Sequence, residues 1–210
     1  MIRTASAQRP PRRALRRAIA ALIVAGLAIV GVAVYRSASA ATLVPTLPVE
    51  HDAIAADGAV TADDGLLPDG VTAFDDAHPG VARLAPQLLE ALRRAAQDAA
   101  RDGVVIHVNS GWRSPEYQDR LLSEAVSQYG SEAEAARWVA SAATSAHVSG
   151  DAVDIGSFDA VAWMSEHGAG YGLCRIYGNE SWHFELRPAS IDRGCPPTYA
   201  DPTQDPRTRG

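Results

Sequence analysis

Two polar segments, residues 145–154 and 180–187, constrain the fold of this chain more than any other feature. In the first segment Asp154 lies between two β-branched residues, so a strand would point its carboxylate away from an apolar core. In the second segment apolar and polar residues alternate, which places His183 on the polar face of another strand. The pattern therefore predicts two strands that share one polar face.

This shared face is predicted to hold a metal ion. Side chains directly opposite on antiparallel strands have Cβ atoms roughly 5 Å apart, a separation that a metal with bonds of about 2 Å can bridge. His147 would supply a third ligand from the preceding loop, where Gly150 allows a sharp turn. Three nitrogen and oxygen ligands leave a coordination position for water, which is typical of catalytic zinc.

A third segment joins these two to form a recognisable set. The motifs, in chain order, are Ser110-Gly-Trp-Arg113-Ser, Ser145-x-His147-x-x-Gly150-x-Ala152-x-Asp154 and Glu180-x-Trp182-His183. In order and internal spacing, the chain from Phe74 to Arg187 resembles the D-alanyl-D-alanine carboxypeptidases of the vancomycin-resistance type. Their wider family includes D,D-dipeptidases, L-alanyl-D-glutamate endopeptidases and, in fold and metal site, the hedgehog signalling domain.

The resemblance implies a role for each motif residue. The implied ligands of Zn²⁺ are His147, Asp154 and His183. Glu180 matches the catalytic glutamate that takes a proton from the attacking water and returns it to the leaving amine. Arg113 matches an arginine that binds substrate and stabilises the oxyanion, a role suited to a permanent planar cation. Ser145 and Gln118 match substrate-binding positions.

Three of these positions leave alternatives open. Strict alternation along the second strand favours Glu185 as the carboxylate beside the metal, whereas the turn signal Gly178-Asn179 favours Glu180 at the strand entry. We take Glu180, with Glu185 as its rival. Arg113 could instead pair locally near a helix start, and Ser145 could serve a turn.

The N-terminus predicts export. Residues 1–17 contain six arginines and no acid, and they precede an apolar stretch over residues 18–35. This arrangement resembles a retained single-pass anchor, or a signal peptide with a small-residue cleavage site at residues 38–40. In both cases the basic segment stays in the cytoplasm of a bacterial cell and the rest of the chain lies outside, anchored or secreted.

The charge of the exported part excludes one class of partner. Seven of the 19 arginines precede residue 37 and all 25 acids follow it, which leaves 12 arginines and a net charge of −13. Nucleic acid is therefore not an expected partner. The two cysteines, Cys174 and Cys195, are an even pair bound for an oxidising compartment and are predicted to form a disulfide.

Composition divides the exported part into three. Residues 36–70 lack periodicity and are predicted to be a flexible linker, residues 71–195 to form one catalytic domain, and residues 196–210 to be a loosely held tail. Within the domain, helices are expected at residues 84–101, 114–129 and 159–167. A capping box at residues 131–134 predicts another, alanine-rich helix that leads to His147.

Strands are expected at residues 104–108, 174–177 and 181–187, besides the one around Asp154. The order of elements predicts an α+β domain, in which helices pack on a small antiparallel sheet that carries the zinc site. The resemblance implies a monomeric zinc metallopeptidase that removes the terminal D-alanine from the peptidoglycan stem peptide. The rivals are an endopeptidase, a D,D-dipeptidase and a non-catalytic, hedgehog-like zinc module.

Overall fold

The computed structural model describes residues 59–208, and the predictions for residues 1–58 lie outside that range. No helix within residues 59–208 is both long and apolar enough to cross a membrane. The α-helices in this range are α1 (Pro79–Ala82), α2 (Pro86–Arg101), α3 (Pro115–Tyr129), α4 (Glu132–Ala135), α5 (Phe158–His167) and α6 (Ser190–Arg193). The strands are β1 (His107–Ser110), β2 (Ala152–Gly156), β3 (Leu173–Arg175) and β4 (His183–Leu186).

The sheet has the order β1-β2-β4-β3, and every neighbouring pair is antiparallel. Asp154 of β2 pairs directly with His183 of β4, and Val153 pairs with Phe184. The side chains of Val153 and Phe184 are buried in the main hydrophobic core, whereas Asp154 and His183 point away from it. The structure therefore confirms an α+β domain with a small antiparallel sheet that carries both predicted ligands.

Helix α2 provides the other half of this core. It begins with Pro86 in its first turn, a position where the missing backbone N–H costs no hydrogen bond. Its buried residues form the predicted apolar stripe: Leu88, Leu89, Ala91, Leu92, Ala95, Ala96 and Ala99. The helix contacts β3, β4 and α5, so it covers the apolar side of the sheet and supports the strand that carries His183.

Two elements differ from their predictions. Strand β1 begins at His107 instead of residue 104, because the backbone N–H of Val104 still bonds to the last turn of α2. The prediction of an alanine-rich helix that leads from Ser131 to His147 is also wrong. Ser131 caps α4 as predicted, through a 3.2 Å bond from the Glu134 N–H, but the helix ends after one turn.

The chain leaves this helix because its side chains and backbone find partners elsewhere. Arg137 donates from Nε to Asp201 at 3.1 Å, and its carbonyl oxygen accepts from Asn179 at 2.7 Å. Further on, Ser141 and Thr144 bond to each other through their hydroxyl groups at 3.0 Å. Such local bonds compete with helical ones. His147 is therefore delivered by a series of turns.

The folded region extends beyond the predicted domain at both ends. Residues 59–70, predicted as linker, include the 3₁₀ helix Ala62–Asp64, and the Asp64 carboxylate accepts from the Ser114 hydroxyl at 2.9 Å. Gly65 has φ 96°, and a Cβ there would lie 2.0 Å from the Trp112 oxygen, so only glycine permits this approach. Composition concealed this packing because the apolar residues of the segment follow no sustained periodicity.

The predicted tail is also packed. We call residues 196–208 the C-terminal strap; they contain the 3₁₀ helices Pro202–Gln204 and Pro206–Thr208 and the buried residues Asp201 and Asp205. The strap follows a disulfide between Cys174 and Cys195, as predicted. Its aspartates are buried because each accepts hydrogen bonds, which a composition rich in Pro, Thr and Asp does not reveal.

Candidate metal centre

The three predicted ligands converge from three different elements. Asp154 lies in the middle of β2, His183 is the first residue of β4, and His147 comes from the turns that precede β2. All three side chains are buried, and their potential ligand atoms form the one such cluster of histidine, cysteine and acidic groups within residues 59–208. The fold thus brings together residues that are up to 36 positions apart in the chain.

The distances between these atoms fit a tetrahedral metal. Nε2 of His147 lies 3.2 Å from Nδ1 of His183, and Oδ1 of Asp154 lies 3.3 Å from the first and 3.1 Å from the second. In a tetrahedral site with bonds of about 2.0 Å, neighbouring ligand atoms are about 3.3 Å apart. The three atoms therefore occupy one face of a tetrahedron whose fourth corner is free.

Each ligand is oriented by a further hydrogen bond. Nδ1 of His147 donates to the Gly111 oxygen at 2.8 Å, and Nε2 of His183 faces Oε1 of Glu185 at 3.3 Å. The remaining ring nitrogen of each histidine then directs its lone pair towards the centre. Arg113 donates to Oδ2 of Asp154 at 2.8 Å, which leaves Oδ1 for the metal. Such outer partners fix the rings and raise ligand basicity.

The electrostatics of the cluster favour a cation. Burial alone would raise the pKa of Asp154, but His147, His183 and Arg113 together hold that pKa well below its usual range. Burial would lower the pKa of His183, yet hydrogen bonds to Asp154 and Glu185 raise it to about 9. Burial lowers the pKa of His147. The surroundings of His183 therefore stabilise positive charge, whether a proton or a metal ion carries it.

Glu180 occupies the position expected of a general base. It lies in the loop before β4, and Oε2 is 3.8 Å from Nδ1 of His183, the nitrogen that faces the metal position. Its other oxygen, Oε1, is buried and has no hydrogen-bond partner within residues 59–208. Burial raises the pKa of Glu180 to about 7. A general base is most effective when its pKa lies close to the pH at which it works, here neutral pH.

Glu185, the rival, lies on the opposite side of the same imidazole. Strand alternation does place it on the face of His183, but it contacts Nε2, away from the metal position. Burial would raise its pKa, but hydrogen bonds from His183 and Arg207 and the charge of Arg187 lower it far below its usual range. Glu185 therefore orients a ligand, and Glu180 is the free carboxylate.

The remaining predicted residues support the site in different ways. Arg113 lines the cavity and donates from Nε to Ser110, from Nη1 to Gln118 and from Nη2 to Asp154, which leaves one N–H on each terminal nitrogen. Both ends of the Gln118 amide are occupied, by Arg113 and by the Ala140 oxygen. Gln118, predicted to bind substrate, is placed to hold Arg113.

Ser145 serves a turn in the structure. Its hydroxyl oxygen accepts from the backbone N–H of His147 at 3.3 Å, the local role that the sequence had left open. The hydroxyl also borders the cavity over the metal position, where its proton remains available as a donor. Ser145 thus fixes the backbone of one ligand and faces the same space as Glu180.

A cavity of about 210 Å³ opens over the metal position. Its walls include the catalytic candidates Arg113 and Glu180 and the larger side chains of Trp138, Tyr177 and Trp182. A second cavity, of about 750 Å³, adjoins it and shares the lining residues Val139, Ala140, Thr144 and Pro202. The space near the metal position is therefore small and shares part of its wall with a larger groove.

Several supporting residues were not predicted. The backbone oxygen of Gly111 accepts from His147, and Gly111 lies against Gly80. A Cβ on residue 111 would be 2.0 Å from the Gly80 oxygen, so this approach requires glycine. Gly111 stands inside the Ser-Gly-Trp-Arg motif, so a signal was present. Tyr177 and Arg207 carried no such signal, because their roles depend on the packing of the C-terminal strap.

Comparison with known proteins identifies the family of this chain. The family model for D-alanyl-D-alanine carboxypeptidases (VanY) matches residues 81–188, just over half of the chain. A D-alanyl-D-alanine carboxypeptidase of Enterococcus faecalis (strain ATCC 700802 / V583) is 34% identical over 41% of this chain and 42% of its own length. The chain thus matches less than half of that relative.

Solved structures of similar proteins include VanYB and a vancomycin-resistance D,D-pentapeptidase, VanY. VanYB in complex with D-alanine-D-alanine is 27% identical, covers 53% of this chain and 74% of its own, and has a TM-score of 0.49. A zinc complex of a variant of the D,D-pentapeptidase VanY is 28% identical, covers 49% and 72%, and has a TM-score of 0.47. The family match, which spans all three motifs, shows that this chain belongs to the VanY family of D-alanyl-D-alanine carboxypeptidases.

Proposed function

We propose that this protein is a zinc-dependent D,D-carboxypeptidase that removes the terminal D-alanine from the peptidoglycan stem peptide. One observation carries the proposal: three ligand atoms lie 3.1–3.3 Å apart, beside a buried carboxylate oxygen that has no partner in the described part of the chain. A ligand cluster alone would suit a structural zinc. The unpaired oxygen of Glu180 adds a group that such a module does not need.

The chemistry divides between the metal and the residues around it. Zinc bound by His147, Asp154 and His183 would polarise the scissile carbonyl and lower the pKa of water towards about 7. Glu180 would accept a proton from the attacking water and return it to the leaving amine of D-alanine. The two free N–H groups of Arg113 would donate to the oxygen on which negative charge develops.

The shape of the site supports a peptide end as the substrate. The 210 Å³ cavity is lined by Arg113, a cation suited to a carboxylate. The adjoining cavity of about 750 Å³ gives room for the rest of a longer peptide. The choice of a D-alanyl-D-alanine end also rests on membership of the VanY family.

We further propose that the catalytic domain acts outside the bacterial membrane. The arginine-rich segment before residues 18–35 predicts that the chain is anchored there, or secreted after cleavage. A monomer suffices, since His147, Asp154, His183 and Glu180 all come from one chain. Protease added to spheroplasts with a sealed membrane should degrade the domain. An N-terminal tag on the cytoplasmic side should stay intact in the same sample. Protection of the domain in intact spheroplasts would contradict this orientation.

Product analysis tests the reaction. Purified full-length protein in detergent is incubated with a muropeptide that ends in D-Ala-D-Ala, and products are weighed by mass spectrometry. We expect the loss of one alanine, complete inhibition by a chelator, and recovery with about one equivalent of Zn²⁺. A cut within the stem would indicate an endopeptidase. Hydrolysis of free D-Ala-D-Ala, supplied as a second substrate, would indicate a dipeptidase. An unchanged muropeptide would leave only a zinc-binding module.

A further inference from the structure

The C-terminal strap reaches the side of His183 that faces away from the metal position. Arg207 of the strap donates from Nη1 to Oε2 of Glu185 at 2.6 Å and from Nη2 to Oε1 at 3.3 Å. Oε1 is the oxygen that faces Nε2 of His183. A chain of two contacts therefore connects the strap to a metal ligand.

Arg207 contacts both carboxylate oxygens of Glu185, whereas Arg187 contacts only one of them. Arg187, the residue that follows the strand of Glu185, contacts a single oxygen of that carboxylate, Oε2, at 2.6 Å. A contact to one oxygen lets the carboxylate plane rotate, whereas the fork of Arg207 spans both oxygens and fixes that plane. The position of Oε1, and with it the direction of the His183 ring, is therefore set by Arg207.

Arg207 is itself held by the strap. Asp205, which is fully buried, accepts at Oδ1 from the Nε and the backbone N–H of Arg207 at 3.0 and 2.9 Å, and pairs through Oδ2 with Nη2. The Tyr177 hydroxyl donates to the same carboxylate at 3.1 Å. A buried carboxylate with this many donors is costly to move, so the arginine fork has a rigid base.

Backbone hydrogen bonds attach the strap to the segment that leads to the general base, Glu180. Tyr199 pairs with Tyr177 through backbone bonds, with the Gly178 N–H donating to the Tyr199 oxygen at 2.8 Å. Further along, Pro202 borders the cavity above the metal position. The strap therefore contacts the site from two sides, although the family match ends at residue 188, before the strap begins.

We propose that Arg207 is a positioning residue of the metal centre, which acts on His183 through Glu185. The inference rests on the proposed zinc site and adds a segment outside the family match to it. Removal of an outer partner of a metal ligand typically lowers metal affinity 10- to 100-fold. The strap is thus part of the machinery that binds the metal.

The test measures zinc affinity and does not depend on turnover. Metal-free full-length protein is titrated with Zn²⁺ in competition with a chromophoric chelator. We expect Arg207→Ala to weaken zinc binding about tenfold, and Arg207→Lys about threefold, since lysine keeps the charge but cannot span both oxygens. The matched control is Arg94→Ala, which removes an arginine of similar exposure, 54% against 47%, paired with Glu90 on α2. Its zinc affinity should equal that of the wild type.

A double-mutant cycle separates positioning from general stabilisation. If Arg207 acts through Glu185, the variant Glu185→Gln with Arg207→Ala should bind zinc no more weakly than Glu185→Gln alone. Full addition of the two losses would overturn the inference. So would a lower melting temperature of metal-free Arg207→Ala with unchanged zinc affinity.

The outcomes also separate this inference from the proposed function. If the wild type binds no zinc, the proposed function fails together with the inference. If the wild type binds zinc and both Arg207 variants bind it equally well, the inference alone is overturned. Should Arg207→Ala fail to fold, Arg207→Lys, which keeps the charge and most of the volume, decides between the two results.

Discussion

The two sides of the His183 imidazole carry similar carboxylates with opposite properties. Glu180 approaches Nδ1 from the cavity side, and burial raises its pKa to about 7. Glu185 approaches Nε2 from the strap side, and its pKa lies far below the usual range although it is even more deeply buried. Burial is thus common to both, and the partners make the difference.

The comparison shows how a fold assigns roles to residues of one type. Two arginines and a histidine donate to Glu185, which therefore keeps its negative charge and serves as a fixed acceptor. Glu180 has an oxygen without a partner among residues 59–208, so this oxygen is free to take and release a proton. Proximity to the histidine alone would not have separated the orienting carboxylate from the reactive one.

The largest expected effect comes from the cavity side. Glu180→Gln keeps the shape and removes the base, so we expect kcat to fall at least about a hundredfold while zinc stays bound. Release of D-alanine and zinc content should be measured on the same sample. Near-full turnover by this variant would transfer the role to another group and break the comparison.

A smaller effect is expected from the strap side. Glu185→Gln removes the charge that orients His183, and we expect zinc affinity to fall 10- to 100-fold, with turnover restored at saturating zinc. Chelator competition gives the affinity, and activity over a zinc titration gives the recovery. A loss of turnover that persists at saturating zinc would mean that Glu185 takes part in the reaction.

The smallest effect on the metal is expected from the disulfide that precedes the strap. Replacement of both Cys174 and Cys195 by serine opens a loop whose ends are 21 residues apart, which should lower the free energy of unfolding by roughly 3 kcal/mol. Denaturant unfolding measures this change. Zinc affinity should stay within about threefold, because the contacts of Arg207 with Glu185 do not include the disulfide. A larger loss would show that the disulfide also positions the strap.

The sequence was sufficient to predict that Asp154 and His183 lie together on one face of the sheet that carries them. Asp154 and His183 follow from alternation along two strands, because a buried apolar face forces the polar residues to the other side. The amphipathic stripe of α2 was predictable for the same reason. Local pattern is enough where the core itself fixes the direction of a side chain.

Other parts depended on contacts that no local pattern encodes. The role of Glu185 as an orienting carboxylate depends on Arg207, twenty-two residues further along the chain. The early end of α4 likewise depends on Asp201, which draws Arg137 away. Composition made the strap look like a solvated tail because its burial relies on paired polar groups.

The direct pairing of Asp154 with His183 has a consequence for how the chain finds its native arrangement. Since side chains alternate along a strand, a slip of β4 by one position against β2 would turn His183 away from the face of Asp154 and expose Phe184 to water. Metal binding and the burial of apolar side chains therefore favour the same alignment of the two strands. A metal ion bound during folding would therefore favour the one alignment of these strands in which its ligands face each other.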